Sequence, residues 1–122
     1  MNPPSESPSG ASTQSASNTM RGKRIGLLLS TQPSHPNLAT VSALGREALR
    51  QGVRVYLYLV DDGVETLSTP EIVALSRAGA TLFVCAYSAR RHNIPVSDQA
   101  VFCGLVALSD IIKGCDRFLA FN

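Results

Sequence analysis

The feature that most limits the fold is an alternation between Arg21 and Asn122: short, nearly continuous apolar runs trade places with stretches of helical periodicity. Arg24–Ser30 (RIGLLLS), Val53–Val60 (VRVYLYLV), Thr81–Cys85 (TLFVC) and Arg117–Phe121 (RFLAF) have the length and composition of strands buried on both faces. Gln99–Phe102 offers a further short strand. Between these runs, Pro36–Gln51 carries Leu38, Val41, Leu44, Ala48 and Leu49 along one helical face. Pro36 suits a first turn, and Gly52 the left-handed residue after a last one. Ser68-Thr69-Pro70-Glu71 announces a second helix, with Ser68 or Thr69 as cap and Gly79 as its end. A third helix follows Cys85 through about His92, and Gly104–Lys113 reads as a fourth, with Leu105, Leu108, Ile111 and Ile112 facing inward. Asp61-Asp62-Gly63 reads as a turn.

Strands separated by helices pair in parallel through right-handed crossovers. The expected fold class is therefore α/β: a three-layer α/β/α sandwich on a four- or five-stranded, mainly parallel sheet. Strand order is not readable from the pattern. Residues 1–20 (MNPPSESPSGASTQSASNTM) carry almost no aliphatic side chains, so they are expected to form a disordered tail before one domain over residues 21–122.

Composition removes several classes of function. A formal charge of +2, with basic residues scattered apart from Arg90-Arg91, gives no basic stripe, so no direct nucleic-acid partner is expected. The chain has no apolar run long enough to span a membrane. Its three cysteines (85, 103, 115) form no CxxC pair and no metal-like spacing with the two histidines. With no secretory signal in the N-terminal residues, reduced thiols and a cytoplasmic location are expected, with no metal and no organic cofactor.

In open parallel sheets, chemistry gathers outside the carboxyl ends of the strands. Thr31–His35, Asp61–Val64, Cys85–Tyr87 and Cys103–Gly104 all reach that edge. Cys85 ends a buried strand and begins a helix, so its sulfur faces unsatisfied N–H groups of the first turn. That field, with Arg90, Arg91 and His92 close in sequence, is expected to lower the thiol pKa and enlarge the nucleophilic thiolate fraction. The competing reading is an inert buried cysteine. Cys103 is either a resolving thiol at the same edge or a small apolar filler, and Cys115 a packing residue at the opposite edge. His35 is a loop residue that either caps or moves a proton. Cys85 to Arg91 also spells C-x5-R, the pattern of cysteine phosphatases. The intervening Ala86-Tyr87-Ser88-Ala89-Arg90 holds no glycine, however, and suits a helix better than a phosphate cradle.

TLFVCAYSARRHNI followed by AVFCGLVALSDIIKGCDRFLAF resembles the DsrE/TusD group of sulfur-relay proteins. There, a strand ends in a cysteine, a short helix carries a basic pair before a turn, and a GLVALSD-like segment leads to a last strand introduced by a CDR-like turn. Gly104-Leu105, Ala107-Leu108 and Asp116-Arg117 match that C-terminal pattern, and Cys85 matches the sulfur-carrying cysteine. His92-Asn93 stands where the family usually has Arg-Gly; Asn also takes the left-handed conformation such a turn needs. The resemblance implies that Cys85 attacks a donor protein's persulfide and that a partner's cysteine then takes the terminal sulfur. It implies a trimer or hexamer of like or unlike chains, with sulfur-donor and sulfur-acceptor proteins as partners. A non-catalytic assembly or binding subunit of the same fold is the alternative, and a cysteine-dependent phosphatase-like hydrolase the third reading.

Overall fold

The computed structural model describes residues 20–122. The disorder expected of residues 1–20 falls, Met20 apart, outside the described residues. The elements run β1 (Arg24–Leu29), α1 (Asn37–Arg50), β2 (Arg54–Leu59), a 3-10 segment (Asp61–Ser68), α2 (Pro70–Arg77), β3 (Thr81–Cys85), α3 (Ala86–Arg91), β4 (Val101–Cys103), α4 (Leu105–Gly114) and β5 (Arg117–Phe121). The five strands form one sheet in the order β4-β3-β2-β1-β5, with every pairing parallel. The α/β expectation holds, with the larger strand count.

The order explains how unequally the two faces are covered. From β1 to β4 the chain steps in one direction across the sheet, so right-handed crossovers put α1, α2 and α3 on one face. The step from β4 back across to β5 runs the other way, and the same handedness puts α4 on the opposite face. On the first face Leu27, Leu29, Leu57, Leu59 and Val84 are fully buried against Val41, Ile72 and Leu75. At roughly 1.5–3 kcal/mol for each large aliphatic side chain removed from water, this layer supplies most of the apolar stabilisation. The second face carries Leu28, Tyr56, Tyr58, Phe83, Cys85, Cys103 and Phe118 in register, with α4 as its one covering helix.

That asymmetry corrects one sequence expectation. Leu105 and Ile112 do not face inward: they are 70% and 44% exposed, and no residue of α4 is buried. Ala107, Asp110 and Ile111 instead turn toward Tyr56 and Phe83 across a cleft of about 320 Å³. A helix apolar around most of its circumference has two candidate faces, and periodicity cannot choose between them. Lying alone on its side of the sheet, α4 has no second layer to receive the other face.

Several local signals are realised. Thr69 caps α2, its Oγ1 accepting from the Ile72 N–H at 3.4 Å, with Pro70 in the first turn. Gly52 and Gly79 take positive φ (82° and 118°) after α1 and α2, and Asn93 does so (58°) after α3. Asp61-Asp62-Gly63, read as a simple turn, instead opens the 3-10 segment, with Asp61 itself at φ 51°. Gly63 is there because the chain crosses β1 at close range: a Cβ would lie 2.0 Å from the Leu29 carbonyl oxygen.

Candidate functional site

All five strands point the same way, so the loops after β1, β2, β3 and β4 share one edge, as expected. Cys115, just before β5, lies at the other edge beside Gly26 and Phe118. Burial pushes its thiol pKa up, with Arg24 opposing and Asp116 adding to the rise.

At the carboxyl edge Cys85 ends β3 and caps α3. The residue is 6% exposed, and its sulfur accepts from the Ser88 N–H at 3.5 Å. Burial, the largest influence, pushes this thiol up. It is outweighed by the Ser88 hydroxyl, the Ser88 and Tyr87 N–H groups and the Tyr58 phenol, so the net effect is a lowered pKa. Ser88 is itself 3% exposed and held in place: its Oγ accepts from the Asp61 N–H at 2.9 Å, which leaves the hydroxyl proton for the sulfur. The loop after β2 thereby orients a donor to the thiol that ends β3.

The expected contribution of the basic pair is not what lowers the thiol. Arg90 and Arg91 are exposed, and neither is among the groups acting on Cys85. Arg91 lies over the Tyr87 ring, 5.8 Å from its centroid. His92 bridges to Asp62 (3.3 Å) and Glu65 (2.9 Å), tying the end of α3 to the 3-10 segment. The residues Ala86–Arg91 are helical rather than wrapped into a cradle, so the C-x5-R spacing does not form a phosphate loop. His35 takes the capping role: its Nδ1 accepts from the Asn37 N–H at 3.0 Å at the start of α1.

Cys103 is Cα-paired with Cys85 in the β3–β4 register, so the two side chains leave the sheet on the same face. Tyr58, one strand further in, is fully buried, its hydroxyl donating to the Gly104 carbonyl oxygen at 3.4 Å, and its phenol acts to lower the pKa of both thiols. Burial, reinforced by the two thiols, pushes the phenol far above its ordinary pKa, so it stays protonated. Burial likewise raises Cys103, the charge of Cys85 adds to the rise, and the Tyr58 phenol opposes it. The result is an unlike pair of thiols, one lowered and one raised, on which the same phenol acts. Tyr58 and Ser88 were missed by the sequence reading. The signal for Ser88 was its position three residues after a strand-ending cysteine, as in a cap; Tyr58 gave none, reading as one more β-former.

A cavity of about 480 Å³ lies at the amino edge beside Arg24, Leu44 and Asp116, away from these thiols. No group of three or more His, Cys, Asp or Glu residues among the described residues is placed to hold a metal ion. Nor is any helix among them long and apolar enough to cross a membrane.

Residues 23–121 match the model of the DsrE/DsrF-like family. The chain belongs to the DsrE/DsrF-like family. The solved structure of YchN from E. coli is similar, with a TM-score of 0.65 at 17% identity, over 81% of this chain and 99% of that one. A conserved protein of unknown function, BT1422 from Bacteroides thetaiotaomicron, superposes with a TM-score of 0.70 at 12% identity, over 81% of this chain and 95% of that one. At these identities the two structures establish the shared DsrE-like fold. No curated protein matches the chain in sequence.

Proposed function

We propose that this protein is a sulfur carrier of a sulfur relay, accepting persulfide sulfur on Cys85 and passing it to a cysteine of a partner protein. The observation that carries the reading is the place of the Cys85 sulfur, at the end of β3 and capping α3 by accepting from the Ser88 N–H at 3.5 Å, with its pKa lowered despite burial. An inert structural cysteine in an apolar core would be shifted the other way. Family membership over residues 23–121 supports the relay role. The chemistry is thiol exchange. The Cys85 thiolate attacks the outer sulfur of a donor persulfide, the donor thiolate leaves, and Cys85 becomes the persulfide. No metal or organic cofactor takes part, and the reaction belongs to the cytoplasm, where thiols stay reduced.

The protein works as an oligomer, a trimer or hexamer, with the surface of α4 as its contact. Leu105 and Val106 are 70% and 78% exposed there, side by side at the start of the helix. An assembly subunit without chemistry of its own would need that surface but no activated thiol.

The test is intact-protein mass spectrometry after incubation with a persulfide donor, comparing wild type with Cys85→Ser. Gain of one sulfur atom by the wild type alone is expected. Equal masses with and without a competent donor would refute the carrier reading.

A further inference from the structure

We propose that Cys103 is the exit thiol of this site, taking the outer sulfur from a persulfide on Cys85 and presenting it to the acceptor. The proposal rests on the reading of Cys85 as the sulfur acceptor and adds the route by which sulfur leaves. Three observations carry it. Cys85 and Cys103 are register partners on neighbouring parallel strands, which run about 4.8 Å apart, with both side chains on the α4 face. Tyr58, fully buried on the same face, brings its phenol beside both: its Oη lies 3.4 Å from the carbonyl oxygen of Gly104, the residue after Cys103, and the phenol lowers the pKa of each thiol. Exposure differs between them: Cys85 is 6% exposed, whereas Cys103, at the end of the edge strand β4, is part-exposed. A thiol on another protein meets Cys103 before it meets Cys85.

The step balances without an oxidant or a reductant. Cys103 Sγ attacks the outer sulfur of Cys85–S–SH, a new S–S bond forms to Cys103, and the old one breaks with its electron pair going to Cys85 Sγ. Cys85–S–SH and Cys103–SH become Cys85–SH and Cys103–S–SH. The proton released by Cys103 passes to the departing Cys85 sulfur, and the Tyr58 phenol, which stays protonated, favours the thiolate on either one. The direction follows from the unlike thiols. Cys85, with a lowered pKa, is the better leaving group, and Cys103, with a raised one, is the intrinsically stronger nucleophile once deprotonated.

The experiment loads wild type, Cys85→Ser, Cys103→Ser and Tyr58→Phe with glutathione persulfide under anaerobic conditions. Excess donor is removed, the proteins are alkylated at timed intervals, and peptide mass spectrometry locates the extra sulfur. Discharge to a cysteine-containing peptide is followed in parallel, with circular dichroism as the check on folding. In the wild type the extra sulfur is expected first on Cys85 and then on Cys103. Cys103→Ser loads Cys85 normally and discharges about tenfold more slowly; Tyr58→Phe loads and is slowed less; Cys85→Ser loads neither thiol. Discharge by Cys103→Ser at the wild-type rate overturns the proposal while leaving Cys85 a carrier. So does a Cys85–Cys103 disulfide with free sulfide, which would mean attack on the inner sulfur. Loading of Cys103 in Cys85→Ser reverses the direction and overturns it as well. A wild type that takes up no sulfur at all overturns the carrier reading itself, and this proposal with it.

Discussion

Replacing Ser88 by alanine removes one of the four donors on the Cys85 sulfur, the hydroxyl, and leaves the Ser88 and Tyr87 N–H groups and the Tyr58 phenol in place. A hydrogen bond to an ionised acceptor contributes roughly 1.5–3 kcal/mol. With three donors remaining to compensate, the lower end applies, and about 1.4 kcal/mol is a factor of ten in the protonation equilibrium. Below the inflections of both proteins the thiolate fraction therefore falls about tenfold. The remaining thiolate is more basic and so more nucleophilic, by about threefold for a Brønsted slope near 0.4–0.5. The net result is that Ser88→Ala alkylates at Cys85 about threefold more slowly than wild type at pH below both inflections and about threefold faster at high pH, where both are fully ionised. Iodoacetamide labelling across a pH series, quantified on the peptide containing Cys85, reads both limbs and the displaced inflection. Arg90→Ala and Arg91→Ala are the controls and should overlay the wild-type curve, since neither guanidinium acts on the sulfur. A Ser88→Ala curve that overlays wild type, or an arginine variant that shifts as Ser88→Ala should, would refute the assignment of the activating groups.

Stability should carry the same signature. A thiol with a lowered folded pKa stabilises the native state above its unfolded pKa, near 8.5, and loses that contribution as pH falls through the folded value. The urea midpoint of wild type relative to Cys85→Ser should therefore rise with pH through that window; a flat difference would contradict a lowered thiol. Gly63→Ala puts a methyl group against the backbone of Leu29, which cannot turn aside, and is expected to cost about 3 kcal/mol in urea unfolding, the upper range for overpacking. A loss below about 1 kcal/mol would mean that the crossing of the 3-10 segment over β1 is looser than drawn. Val106→Glu, at a site 78% exposed, should leave the fold intact by circular dichroism and lower the mass seen by sedimentation velocity. An unchanged mass would move the oligomer contact off the start of α4.

The layered α/β architecture was legible because a buried parallel strand has a distinctive composition. The limits of Thr81–Cys85 and Arg117–Phe121 were read to the residue. The place of Cys85 was legible for the same reason: a cysteine stood where a strand pattern stopped and a helix pattern began. What surrounds it was not. The sequence reading looked for its activators among residues charged and nearby in the chain, Arg90 and Arg91, whereas the operative donors are neutral. One of them, Tyr58, lies 27 positions upstream by number and reaches the thiol only through the pairing of β2 with β3. Adjacency in a sheet depends on strand order, which alternation alone leaves open. The inward face of α4 was misread for a related reason: apolar periodicity says that a face seeks cover, not whether this chain provides it.

The reversal of direction after β4 ties these observations together. It places α4 on the face opposite α1, α2 and α3, and that is the face from which Tyr58, Cys85 and Cys103 project. Had the last crossover run on in the original direction, a fourth helix would have joined the well-packed side and left the thiols uncovered. Had a second helix joined α4, the carboxyl-edge end of that face would have been sealed. As built, Cys103 gives way through Gly104 directly to Leu105 and Val106, so the more accessible thiol borders the largest apolar exposure on α4. A molecule that docks on α4 would therefore dock beside Cys103, and on the proposed function the contact surface is continuous with the thiols that would exchange sulfur. Contact and chemistry then become separable by mutation but not by position: Val106→Glu should weaken transfer to a docking protein while sparing transfer to a small thiol, and Cys103→Ser should impair both.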